Sequence, residues 1–210
     1  MADHADNGGD VFVYTGGRAP PNVTRVRIDK SVDVIEEYAF CNCANLVHVE
    51  THDGIRRVGR RAFNWCTSLR GINLKSVVEI STYAFGGCGN LKYVEFGENL
   101  ETIGIDAFEL CLSLERLKLP SIVNIERNAF LNCSAVMDIE LSERLETIES
   151  NAFAGCECLQ RIAIPLKRDL FEYNHIRWNY TQFGNCEHLV TVDIVGGDVC
   201  CIVAYGKLEN

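Results

Sequence analysis

Leu145-Glu-Thr-Ile148-Glu-Ser-Asn-Ala152-Phe153-Ala-Gly-Cys156-Glu-Cys-Leu159-Gln-Arg-Ile162-Ala-Ile164 holds one full copy of a phrase that recurs along most of the chain. Its Phe returns as Phe40, Phe63, Phe85, Phe108, Phe130, Phe153 and, in a weakened copy, Phe183, at intervals of 23, 22, 23, 22, 23 and 30 residues. Self-similarity at this period marks a repeat architecture, in which one unit cannot bury its apolar face alone and stacking buries it.

Counted from each Phe, hydrophobic residues stand eight and five positions earlier: Val32/Ile35, Ile55/Val58, Val77/Ile80, Leu100/Ile103, Ile122/Ile125 and Leu145/Ile148. Cys follows three residues after the Phe and Leu six after it, with Val136 in the Leu slot of one copy. From Ile148 through Ala152, Phe153, Cys156 and Leu159 the steps are 4, 1, 3 and 3, a spacing that predicts a short helix with one buried face. Further on, apolar residues alternate, as in Ile72/Leu74, Val94/Phe96, Leu117/Leu119, Ile139/Leu141 and Ile162/Ile164, which predicts a short strand with one face inward. Val26/Ile28 and Val192/Ile194 extend that set, and the strands stacked in parallel span about 34 Å. The 23/22 alternation arises in one turn: four residues separate Phe96 from Leu100, but three separate Leu119 from Ile122.

Ile-x-x-x-Ala-Phe-x-x-Cys-x-x-Leu-x-x-Ile-x-Leu, covering roughly Val23 to Val195, resembles the BspA-like class of leucine-rich repeats. The resemblance implies an α/β solenoid of about seven repeats, with a parallel β-sheet and short helices or turns on the opposite side. It also implies a non-enzymatic scaffold for protein interaction or adhesion, with no catalytic residue or cofactor to carry over. Along the chain we read a disordered polar tail (1–10), an N-terminal cap (11–22), the solenoid (23–195, with an insertion at 165–180) and a C-terminal segment (196–210).

Composition narrows the partners. A formal net charge of -9 with scattered basic residues lacks the footprint of a nucleic-acid binder. No apolar run is long enough for a membrane span, and the acidic start lacks the basic and apolar regions of a secretory signal. These features predict a cytoplasmic protein that binds another protein. Many members of the class the phrase resembles are surface proteins, so a secreted or cell-surface adhesion module is the alternative. Three sequons, at Asn22, Asn132 and Asn179, matter only in that compartment and read as coincidence.

Most of the 11 cysteines belong to the phrase: Cys43, Cys66, Cys88, Cys111, Cys133, Cys156 and Cys186 form a ladder of parallel side chains, badly directed for bridging and suited to the core as free thiols. Cys41 and Cys43 followed by His48 and His52 imitate a zinc motif, but the repeat register sends Cys43 inward and His48 outward, so no metal site is expected. His188, near Cys186, occupies the turn slot held elsewhere by Asn45, Ser68, Asn90 and Ser113, so a Cys-His nucleophile is not expected either.

Function is sought where the phrase is variable. The outward strand slots supply His48, Glu50, Tyr93, Glu95, Arg116, Lys118 and Asp138 as candidate protein-binding residues, weighed against simple pairing of charges such as Glu95, Lys118 and Glu140 across strands. The aromatic insertion before Phe183 supplies Tyr173, His175 and Arg177, while Trp178, in the slot of the repeat's Ile, is better suited to packing. The apolar run Val199 to Tyr205 lacks the polar outer surface of a cap, which makes the C-terminal end a candidate for self-association.

Overall fold

The computed structural model describes residues 11–165 and 181–195. The polar tail, the body of the insertion with Tyr173, His175, Arg177 and Trp178, and the C-terminal segment lie outside them.

In chain order the strands are β1 (Phe12–Tyr14), β2 (Arg25–Ile28), β3 (Val34–Ile35), β4 (His48–Glu50), β5 (Arg57–Val58), β6 (Gly71–Leu74), β7 (Glu79–Ile80), β8 (Tyr93–Phe96), β9 (Thr102–Ile103), β10 (Arg116–Leu119), β11 (Asn124–Ile125), β12 (Asp138–Leu141), β13 (Thr147–Ile148), β14 (Arg161–Pro165) and β15 (Thr191–Val195). They build two parallel faces of a solenoid. The main face carries β1, the even-numbered strands and β15, hydrogen-bonded in blocks β1-β2-β4, β6-β8 and β10-β12-β14-β15. Each block keeps the repeat register, with Ile72 beside Val94 and Leu117 beside Ile139. The alternation foreseen in the sequence is present: Leu117 and Leu119 are buried while Arg116 and Lys118 are exposed.

The second face is a 6-stranded sheet ordered β13-β11-β9-β7-β5-β3. Here the structure corrects the sequence reading, which assigned the hydrophobic five residues before each Phe to a helix. Ile35, Val58, Ile80, Ile103, Ile125 and Ile148 are instead the inward residues of two-residue strands, each beside its equivalent in the next turn. Strands this short leave no period of two in the sequence.

The predicted helix is replaced by linked turns. Residues two before and two after the Phe take left-handed backbone, as at Asn128 (φ 58) and Asn132 (φ 59), or Tyr83 (φ 56) and Gly87 (φ 76). A helix cannot pass through such residues, whereas Asn and Gly tolerate them. Among the described residues the helical content is a single 3-10 turn, Thr181–Phe183. Backbone groups in the turns are satisfied along the solenoid axis instead of locally. The Phe63 amide donates to the Ala84 carbonyl at 2.7 Å and Phe130 to Ala152 at 2.8 Å. At the weakened copy Gln182 takes the Ala position and its carbonyl accepts the Phe153 amide at 2.8 Å.

The core runs the length of the stack. Rings of Phe40, Phe63, Phe85, Phe108, Phe130, Phe153 and Phe183 lie nearly parallel, with centroids 5.0 to 5.6 Å apart. Parallel planes at that separation are offset stacks, the favourable arrangement for aromatic pairs. Tyr14 closes the N-terminal end with its ring 4.8 Å from Phe40 and tilted by 50°. Its hydroxyl accepts the Glu36 amide at 3.3 Å.

Candidate functional site

The outward side of the main face is built by the pleat, since every strand that buries one pair of residues must present the alternate pair. Backbone bonds at the strand entrances tie successive turns together: Lys92 N to Arg70 O (2.8 Å), Glu115 N to Lys92 O (3.4 Å), Met137 N to Glu115 O (2.9 Å) and Gln160 N to Met137 O (3.0 Å). This ladder sets Gly71, Tyr93, Arg116, Asp138 and Arg161 side by side.

Most charges on this face are paired within the chain. Glu50 accepts the Arg27 guanidinium at 2.8 Å, and that contact holds its carboxyl below the usual range. Lys118 reaches Glu140 at 3.8 Å. Glu95 turns to Lys75 at 3.1 Å, not to Lys118 as the charge pattern had allowed. Asp138 is taken by Arg161, whose guanidinium also binds Asp193 at 2.6 Å and so joins β12, β14 and β15. The resulting hydrogen bonds to Asp193 and Asp138 raise the Arg161 pKa further. Nothing in the phrase singled out Arg161; its role follows from Asp138 in register on one side and Asp193, two residues further along β15, on the other.

Against this background Tyr93, Arg116 and His48 stand out. Tyr93 is 59% exposed, its ring lying across Gly71, where a Cβ would overlap it. The side chains of Arg116 and His48 are exposed and make no hydrogen bond or ion pair with the described residues.

Residues with chemical potential on paper are used structurally. The Cys88 thiol donates to the Phe63 carbonyl at 3.0 Å, Cys133 to Phe108 at 3.1 Å and Cys186 to Phe153 at 3.2 Å, each reaching back one turn. Burial pushes Cys88 and Cys133 up to about 12 and Cys186 up to about 11, far from a nucleophilic thiolate. His188 Nδ1 meets the Glu157 carbonyl at 2.7 Å, as Asn90 Nδ2 meets Thr67 O at 2.7 Å and Ser113 Oγ meets Gly89 O at 2.8 Å, so its slot fixes its role. His52 accepts the Gly54 amide on Nδ1 at 3.0 Å, which assigns the proton to Nε2 for the Asp29 carbonyl at 2.9 Å. Among the described residues no group of three or more His, Cys, Asp or Glu side chains is placed to hold a metal ion.

Two further surfaces escaped the sequence reading. The second sheet presents a shallow polar depression lined by Glu101, Thr102, Val123, Asn124, Arg144 and Glu146, where Arg144 pairs with Glu101 across the intervening turn at 3.2 Å. On the turn side, left-handed residues form a row: the Arg61 guanidinium sits 5.0 Å from the Tyr83 ring and 5.9 Å from the Tyr38 ring, and Asn128 donates to Asp106 at 2.9 Å. Trp65, also left-handed, is half exposed over Gly87. The shared signal is the slot two residues from each Phe, which the phrase treats as silent.

Six copies of the BspA type leucine-rich repeat region match the chain over residues 19–136 and 58–190. The chain belongs to that family. This BspA-type solenoid also matches solved structures. A T. pallidum leucine-rich repeat protein shares 25% identity over 85% of this chain and 82% of that one, with a TM-score of 0.68. A Bacteroides ovatus leucine-rich repeat protein is 24% identical over 82% of this chain and 55% of that one, with a TM-score of 0.59. One from Eubacterium ventriosum is 20% identical over 79% and 40%, with a TM-score of 0.58; these last two speak to fold alone. No curated protein matches the chain. Among the described residues no helix is long and apolar enough to cross a membrane.

Proposed function

We propose that this chain is a non-enzymatic, cytoplasmic scaffold that binds a partner protein through the outward side of its main face. One observation carries the reading: the fixed letters of the repeat are consumed by the core, and the variable letters converge on an open parallel face where Tyr93 is 59% exposed beside Arg116, which has no ion pair among the described residues. Aromatic and arginine side chains are the residue types that most often dominate binding energy at protein interfaces. Buried, hydrogen-bonded thiols and a structurally occupied His188 support the non-enzymatic part.

The test is affinity capture from cell extract with the native chain and with Tyr93→Ala/Arg116→Glu, both surface changes that leave the core intact. The reading expects partners of the native chain to be lost from the double variant. Retention of every partner by the variant contradicts it. Cell fractionation separates the alternative adhesion role, which requires the chain outside the cytoplasm; glycan on the exposed Asn22 would itself require that compartment.

A further inference from the structure

Charge on the main face is unevenly satisfied. Glu50, Glu95, Asp138, Glu140 and Asp193, the acidic residues of the outward strand slots, each hold an internal cation. Glu115 at the strand entrance is likewise held by Lys92 at 3.0 Å. The guanidinium groups of Arg70 and Arg116 are exposed and make no hydrogen bond or ion pair with the described residues. Although the chain carries a net charge of -9, the charge left uncommitted around Tyr93 is therefore positive.

Placement makes these residues a unit. The Arg70 carbonyl accepts the amides of Lys92 (2.8 Å) and Tyr93 (3.4 Å), and the Glu115 amide repeats the first of these bonds one turn later on Lys92. Tyr93 thus lies between the entrance residue Arg70 on one side and Arg116 on the other, two strand spacings or about 10 Å apart. Gly71 supplies no side chain between Arg70 and the Tyr93 ring, which leaves the ring flat against the sheet. Guanidinium groups favour carboxylates, which they bind in bidentate fashion, and the ring accepts an apolar or planar side chain.

We propose that Arg70, Tyr93 and Arg116 form a subsite for an acidic segment of the partner protein. The segment runs along the solenoid axis in an extended conformation and turns three alternate residues to the face: carboxylates four residues apart, about 13 Å at the rise of an extended chain and within the reach of two long guanidinium side chains, with an apolar side chain midway between them on Tyr93. This rests on the main face being the binding face.

A displayed random-peptide library selected on the purified full chain tests it, with affinities of the selected peptides then measured by fluorescence anisotropy. The expected result is enrichment of Asp or Glu at a spacing of four, with binding weakened about tenfold or more by Arg70→Ala or Arg116→Ala and further weakened by added salt. Neutral or basic peptides, peptides indifferent to both arginine changes, or no acidic binder above a charge-scrambled control overturn the inference. Asn73→Trp, which blocks the face sterically, separates the two levels. Peptides lost with Asn73→Trp but indifferent to the arginines sink the acidic subsite alone; peptides that ignore both Asn73→Trp and Tyr93→Ala sink the face as well. Circular dichroism of each variant verifies that the fold is retained.

Discussion

The Cys88 thiol donates to the Phe63 carbonyl at 3.0 Å, and the same oxygen accepts the Cys66 amide at 3.0 Å. One carbonyl thereby links two turns, and the Cys slot needs a side chain that is small, apolar and still a donor. Cys88→Ala removes the donor and leaves a small void, so it should cost about 1–2 kcal/mol, read as a lower urea midpoint at unchanged slope.

The same burial makes stability depend on alkaline pH. Cys88 and Cys133 ionise at about 12 in the fold and Cys186 at about 11, against an ordinary value of 9.0. The folded state keeps protons that the unfolded chain releases. This stabilisation is fully present below pH 9 and is lost as pH rises toward the folded values. Each thiol contributes a slope of up to about 1.4 kcal/mol per pH unit in that window. Urea titrations from pH 8 to 10.5 should show falling stability, and Cys88→Ala should flatten the fall.

Phe108 is sandwiched between Phe85 at 5.0 Å and Phe130 at 5.2 Å, and meets Phe96 edge-on at 5.9 Å. Phe108→Ala removes all three contacts and should cost about 3–5 kcal/mol. A thermal melt followed by circular dichroism checks this; melting like the native chain is incompatible with a continuous stack.

Two glycines give a matched pair. A Cβ at Gly97 would collide with the Lys75 carbonyl, a backbone atom that cannot swing aside, whereas a Cβ at Gly89 meets nothing within 4 Å. Gly97→Ala should destabilise by about 1–3 kcal/mol. Gly89→Ala should stay within about 0.5 kcal/mol of the native chain, and denaturant melts compare the two directly.

His188 is predicted to be replaceable by the residue its slot holds elsewhere. His188→Asn should retain a donor to the Glu157 carbonyl and melt close to the native chain, while His188→Ala should lose about 1 kcal/mol.

The repeat, the inward residues and the parallel main face were legible because a period of two and a recurring Ala-Phe-x-x-Cys leave strong traces in sequence. The second sheet was not, because Val58 or Ile103 alone carries its signal in each turn. The helix expected from Ile148 to Leu159 failed for a readable reason: Asn151 and Gly155 stand on either side of Phe153, with φ of 58° and 73°. Asn and Gly at those slots mark left-handed turns, whereas the spacing of apolar residues does not distinguish an arc from a helix. At the face, residue types nominated Tyr93 and Arg116, but which charges remain free was decided by pairings such as Glu95 with Lys75, set by register and side-chain reach.

Hydroxyl-radical footprinting of the chain bound to its captured partner tests the central claim most directly. Protection is predicted at His48, Tyr93 and Arg116 on the main face, with Arg57 and Thr147 on the second sheet and Trp65 on the turn side left reactive. Protection confined to the second sheet or the turn side, with Tyr93 as reactive as in the free chain, would contradict the account.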